Sequence, residues 1–83
     1  MAEYEDINVD FELDARGLIC PEPLMLARNM LRKMQSDQIL FIAATDPSTE
    51  RDFNNLCRFM GHEMVRERMA EGSLEFWIKK GIA

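Results

Sequence analysis

Residues 11–34, FELDARGLICPEPLMLARNMLRKM, decide how the chain folds. Phe11, Leu13 and Ala15 alternate with Glu12 and Asp14, the period-two pattern of a strand with one buried face. Arg16, Gly17, Leu18 and Ile19 read as a loop. The next segment predicts a helix from about Pro21 to Met34. Proline is tolerated in a first helical turn because its missing N–H would have no helical partner there, and Pro21 and Pro23 both fit. On a helical wheel Leu24, Ala27, Met30, Leu31 and Met34 share one face, with Leu26 at its edge. Arg28, Asn29, Arg32 and Lys33 lie opposite.

Working outward, Ser36 and Asp37 end the helix, and Ile39 to Ala44 form a nearly continuous apolar run. Such a run reads as a strand covered on both sides or central in its sheet. Asp46 is a suitable N-cap and Pro47 a suitable first residue for a second helix. That helix runs to about Met60, with Gly61 as its C-cap. Phe53, Leu56, Cys57 and Met60 follow i, i+3, i+4, i+7 spacing and form its buried stripe. His62 to Met69 reads as a strand of poor alternation. Glu71 and Gly72 make a turn, after which Leu74, Phe76 and Ile78 alternate with Glu75, Trp77 and Lys79. The order is β-α-β-α-β-β. Right-handed crossovers put both helices on one side of the sheet, and the last two strands pair as an antiparallel hairpin. The fold class is therefore α+β: a two-layer α/β sandwich with a mixed four-stranded sheet and one open sheet face.

Eighty-three residues, 47% of them apolar, fit one folded domain with a modest core. Residues 1–10 read as an acidic tail and 11–83 as the domain. No apolar run approaches the roughly 18–20 residues needed to cross a bilayer. The acidic start lacks the basic and apolar parts of a signal peptide, so a cytoplasmic location is expected. The net charge of −5 is uneven. Glu3, Glu5, Asp6, Asp10, Glu12, Asp14 and Glu22 face only Arg16 in residues 1–22, while the remainder is nearly balanced. Without a basic cluster, direct nucleic-acid binding is disfavoured. Two cysteines are too few for a disulfide scaffold, and Cys20, Cys57 and His62 lack the close spacing of a metal site.

The chemistry centres on Cys20 at the start of the first helix. A free thiol is only slightly ionised at neutral pH. A helix N-terminus, with its unpaired N–H groups and partial positive charge, stabilises a thiolate and equally a persulfide anion. Pro21 and Pro23 remove two competing N–H groups and are expected to hold the sulfur in a fixed, outward position. Glu22 opposes that field. Cys57 falls within an apolar stripe, where cysteine acts as a small hydrophobe.

The stretch Leu13-Asp14-Ala15-Arg16-Gly17-Leu18-Ile19-Cys20-Pro21-Glu22-Pro23 resembles the signature of the TusA/SirA-like sulfur-carrier family, whose mark is Cys-Pro-x-Pro after a leucine–aspartate–x–x–glycine lead-in. Asp46-Pro47-Ser48-Thr49, Arg51-Asp52 and Cys57-x-Phe59-Met60-x-His62 extend the likeness over roughly residues 11–80. Ile19 stands where TusA itself commonly has arginine. The resemblance implies a fold like the C-terminal domain of translation initiation factor three. It implies that Cys20 accepts sulfane sulfur from a cysteine desulfurase and passes it to a downstream sulfur-relay protein, with no cofactor of its own. One branch of the family leads to 2-thiouridine in tRNA; others serve molybdenum-cofactor biosynthesis or sulfur oxidation.

A second function class is a regulatory or RNA-binding module, against which the acidic balance argues. A third, a thiol-disulfide enzyme, is disfavoured because Pro23 stands where a resolving cysteine would. Met25, Arg28 and Arg32, on the exposed side of the first helix, are candidate partner contacts. Trp77 points away from the Leu74-Phe76-Ile78 face, either as a patch on the open sheet or packed under the N-terminal segment. His62 reads as a strand-start residue rather than a base.

Overall fold

The computed structural model describes residues 8–81. The elements are β1 (Phe11–Ala15), α1 (Glu22–Lys33), β2 (Ile39–Ala44), α2 (Thr49–Met60), β3 (Glu63–Ala70) and β4 (Ser73–Lys79). They follow the β-α-β-α-β-β order that periodicity predicts. One mixed sheet has the strand order β1-β2-β4-β3. β1 runs parallel to β2 with Ala15 opposite Ala44, and β4 is antiparallel to both β2 and β3. The apolar run of β2 is explained by this order, because β2 has a neighbour on each side.

One sheet face carries Leu13, Ala15, Leu40, Ile42, Ala44, Met64, Leu74, Phe76 and Ile78 into the core. Against it lie Ala27, Leu31 and Met34 of the first helical segment and Phe53, Leu56 and Cys57 of the second. Both helices thus bury their apolar stripes in one layer, as amphipathic helices must when the sheet offers a single apolar face. Phe53 meets Phe76 edge-on at 4.9 Å between ring centroids, a favoured aromatic geometry. The far end of α1 is closed by Lys80, whose Nζ donates to the carbonyls of Leu31 and Met34 at 2.5 and 3.1 Å. A cation there satisfies the unpaired carbonyls and opposes the negative end of the helix dipole.

Several expectations need correction. α2 begins at Thr49 with Ser48 at the N-cap, not at Pro47 with Asp46 as the cap. Asp46 instead stabilises the turn before the helix: its Oδ1 accepts from Ser48 N and Oγ, each at 3.0 Å. Gly61 does cap α2, at φ 77°, a left-handed conformation costly for residues with a Cβ. The poor alternation of β3 arises from a register shift between Met64 and Arg66, which leaves Val65 without a partner on β4.

Trp77 does lie on the face opposite the helices, but it forms no exposed patch. It is 5% exposed. Its ring meets Phe41 at 5.0 Å, and the Arg66 and Arg68 guanidinium carbons stand 5.7 and 5.9 Å from its centroid. Asp10, at the end of the acidic segment, is tied to the sheet: its N–H donates to Ile39 O and its Oδ2 accepts from Ile39 N, both at 2.9 Å. The first seven positions of that segment, and residues 82 and 83, lie outside the described residues.

Phe53 and Phe59 lie on α2, the first fully buried and the second 83% exposed. Phe53→Ala should lower unfolding free energy by about 3–5 kcal/mol through lost transfer energy and the cavity left behind. Phe59→Ala should change it by about 0.5 kcal/mol or less. Urea titrations followed by Trp77 fluorescence measure both.

Candidate functional site

Because β1 and β2 are parallel neighbours, the loops leaving their C-terminal ends emerge side by side. Two hydrogen bonds join them: Gly17 N donates to Thr45 Oγ1 at 2.9 Å, and Cys20 N donates to Asp46 Oδ2 at 2.7 Å. Gly17 takes φ 84°, which turns the chain back toward the second loop. Asp46 accepts from both loops at once, so its carboxyl lies below the usual carboxylate range. The Cys20 N–H is the largest cause, followed by the N–H and hydroxyl of Ser48. Leu18 N donates to Ala15 O and Glu22 N to Ile19 O, closing the connection into α1.

Cys20 is exposed, and its Sγ donates to Asp52 Oδ2 at 3.1 Å. Asp52 lies in the first turn of α2, with its N–H bonded to Ser48 O. Arg51 Nε stands 3.9 Å from Asp52 Oδ1. The Cys20 thiol is pushed up from its ordinary value, first by the Asp52 hydrogen bond and next by desolvation. A Ser48 contact opposes these, and the Asp52 and Asp46 charges add to the rise. The expectation that the helix end would favour a thiolate is thereby corrected. Pro21, at the N-cap, and Pro23, within the first turn, have no N–H to offer. The Glu22 N–H between them is already given to Ile19 O. The opposing charge comes from Asp52 and Asp46 rather than from Glu22, which is exposed in the first turn of α1.

The sulfur is therefore held against α2 and does not simply point outward. Pro21 precedes the helix, joined to Cys20 by a cis peptide bond, and Pro23 is buried. Met25, Arg28 and Arg32 are exposed along α1, with Met25 at 56%. Their i, i+3, i+7 spacing sets them along one side of the helix. Arg28 also lines a groove of about 320 Å³ between α1 and α2, together with Leu24, Asp52, Leu56, Phe59 and Met60. Asp52 thus belongs both to the sulfur site and to the groove beside it.

Cys57 is 5% exposed, and desolvation, helped by the Glu67 charge, pushes its thiol up to about 11. Neutral, buried and apolar in its contacts, it behaves as core. His62 precedes β3 and accepts at Nδ1 from Gly81 N at 2.9 Å. Burial, then the Lys80 charge, lowers its pKa, in keeping with a neutral acceptor. Among the described residues, no three His, Cys, Asp or Glu side chains converge to hold a metal ion. No described helix is long and apolar enough to cross a membrane.

Fold and site together define a small α/β sandwich presenting one thiol where its two parallel strands end. Residues 11–80 match the family described as Sulfurtransferase TusA. A relative from Pseudomonas syringae pv. syringae, named sulfur carrier protein TusA, is 47% identical over 76 residues, covering 92% of this chain and 90% of the relative. One of the same name from Pseudomonas aeruginosa is 45% identical over 73 residues, covering 88% and 92%. The solved structure of a SirA-like protein from Desulfitobacterium hafniense superposes with a TM-score of 0.78 at 19% identity, covering 87% of this chain and 99% of that one. The chain belongs to the TusA sulfurtransferase family.

Two predictions follow from the geometry. In the native protein iodoacetamide should modify Cys20 and leave Cys57 untouched until denaturant opens the core, as peptide mass mapping would read. The second concerns Asp46. A carboxylate with a depressed folded pKa stabilises the native state above its ordinary value of 3.8 and loses that contribution as pH falls through the folded value. Asp46→Asn should therefore be less stable than wild type near neutral pH, with the gap closing below about pH 4. Thermal melts across a pH series check this.

Proposed function

We propose that the chain carries sulfane sulfur as a persulfide on Cys20. In this reading a cysteine desulfurase loads it and a downstream sulfur-relay protein unloads it, with tRNA 2-thiouridine as the end use. The observation that supports the reading is the placement of Cys20. It is the exposed one of the two free thiols, it stands within Cys-Pro-Glu-Pro at the entry to α1, and relatives 45–47% identical to the chain are named sulfur carrier proteins. Covalent carriage requires no cofactor from this chain. Relays toward molybdenum-cofactor biosynthesis or sulfur oxidation would use the same atom with other partners.

Incubation with a cysteine desulfurase and cysteine, followed by intact mass, tests the proposal. Wild type should gain sulfur that a reductant removes. Cys20→Ser should gain none. Cys57→Ser should still load but unfold more easily, because a hydroxyl enters the core without an assured partner. Loading of Cys20→Ser to the wild-type level would overturn the assignment.

We also place partner docking on the exposed side of α1. A carrier must offer one atom to successive proteins, so both approach the surface around Cys20. Met25 supplies apolar area there, and Arg28 and Arg32 supply positive charge. Rim charges act mainly on association rate and its salt dependence. Arg28→Glu with Arg32→Glu should slow loading by the desulfurase most at low ionic strength. Met25→Glu should weaken it at all ionic strengths. Loading rates measured across a salt series distinguish these outcomes from unaltered docking.

A further inference from the structure

The hydrogen bond from Cys20 Sγ to Asp52 Oδ2, at 3.1 Å, depends on the sulfur keeping its proton. An ionised carboxylate can only accept, so an unprotonated sulfur beside it finds repulsion in place of a bond. Asp52 is anchored for this contact. Its side chain is 16% exposed, its backbone belongs to the first turn of α2, and the Cys20 backbone is tied separately to Asp46. The cysteine backbone therefore stays in place whatever the sulfur carries.

We propose that Asp52 is a positioning residue that distinguishes empty from loaded Cys20, holding the thiol against α2 and turning the persulfide outward. The inference deepens the carrier reading and rests on it. Loading from a donor persulfide is redox-neutral: Cys20–SH + R–S–SH gives Cys20–S–SH + R–SH. A bond forms between Cys20 Sγ and the donor's terminal sulfur, and the donor's S–S bond breaks. The donor's inner sulfur leaves with the electron pair and takes up the proton that Cys20 released. Two things then change at Asp52. Sγ no longer carries a hydrogen, and the new terminal sulfur, more acidic than a thiol, is an anion at neutral pH. An attractive contact becomes a contact between like charges.

The surrounding charges reinforce the change. Asp46, on the loop before α2, adds a second carboxylate, while Ser48 offers a neutral hydroxyl beside Cys20. Glu22, on α1, is exposed and is not among the charges acting on the thiol. On the positive side, Arg51 is 3.9 Å from the far oxygen of Asp52, and Arg28 lines the groove that Asp52 shares. Arg51 is largely in solvent and so is strongly screened. The loaded sulfur is thus driven from the carboxylates toward the surface where a partner meets it.

Asp52→Asn tests the proposal, since it keeps the size and an acceptor oxygen while removing the charge. The first readout is the pH profile of Cys20 alkylation by iodoacetamide on the unloaded protein, which requires no sulfur donor. The half-point in Asp52→Asn should fall by about one pH unit, a tenfold change in thiolate fraction. Asp52→Glu should keep it close to wild type. Protection of Cys57 reports that each variant is folded, and Asp52→Ser serves if the amide variant is not. The second readout compares a bulky maleimide on empty protein and on protein loaded from a small-molecule persulfide. Wild type should react faster when loaded, and Asp52→Asn should show a smaller ratio. Coincident pH profiles, or equal ratios in the two proteins, would overturn the proposal. A shifted profile in a chain that accepts no sulfur would overturn the carrier reading and with it the discrimination, leaving a thiol–carboxylate pair alone.

Discussion

The parallel pairing of β1 with β2 is the constraint from which the rest of the site follows. Ala15 opposite Ala44 brings two loops out of the sheet at the same edge. Had the strands been antiparallel, those loops would leave from opposite ends, and Cys20 and Asp46 could not meet. Parallel neighbours require a crossover, and α1 provides it, so the residue entering that helix lies above the sheet beside the residues entering α2. The placement resembles the general habit of α/β sheets, whose sites gather at the carboxyl ends of parallel strands.

The two levels of interaction divide the labour. Apolar burial sets the coarse frame, with Phe53, Leu31 and Phe76 filling the layer between helices and sheet. Burial is non-directional and cannot place one sulfur atom. Placement comes from short, directional contacts above the core: Thr45 to Gly17, Asp46 to Cys20 and Ser48, and Asp52 to the thiol. Asp46 matters most among them because one carboxylate serves both loops. An ionised acceptor also makes stronger hydrogen bonds than a neutral one.

What was legible in the sequence is what periodicity encodes. The alternation of β1, the apolar run of β2 and the stripes of both helices gave element order and sheet layering, and the C-cap glycine marked the end of α2. The bulge at Val65 disturbed the alternation of β3 but left its span within a residue or so. The electrostatics of Cys20 are not legible in its local sequence. Local reasoning sees a cysteine before a helix and infers a positive field. The acceptor that opposes it, Asp52, is 32 positions away, and only tertiary folding brings the two together. Asp46 stood out as a helix cap, and its family-like context was a signal, yet its link to Cys20 depends on strand pairing. The alternation of β4 puts Trp77 on the sheet face away from the helices, but the pattern of one strand cannot report that Phe41 and two arginines cover it.

A raised thiol pKa would handicap an enzyme whose cysteine must attack unaided, since the thiolate is the nucleophile. A carrier meets a different requirement. Between encounters its sulfur has nothing to attack, and a protonated thiol is the form least prone to oxidation. The ionising influence can then come from the partner at the moment of transfer. A positive charge brought near Asp52 would weaken its hold on the proton of Cys20, because the carboxylate would acquire a competing donor. Asp52 lines the groove together with Arg28 and Phe59, so a cation seated there would lie near the carboxylate. The residue that accepts from the Cys20 thiol is in this arrangement also part of the wall of the neighbouring groove.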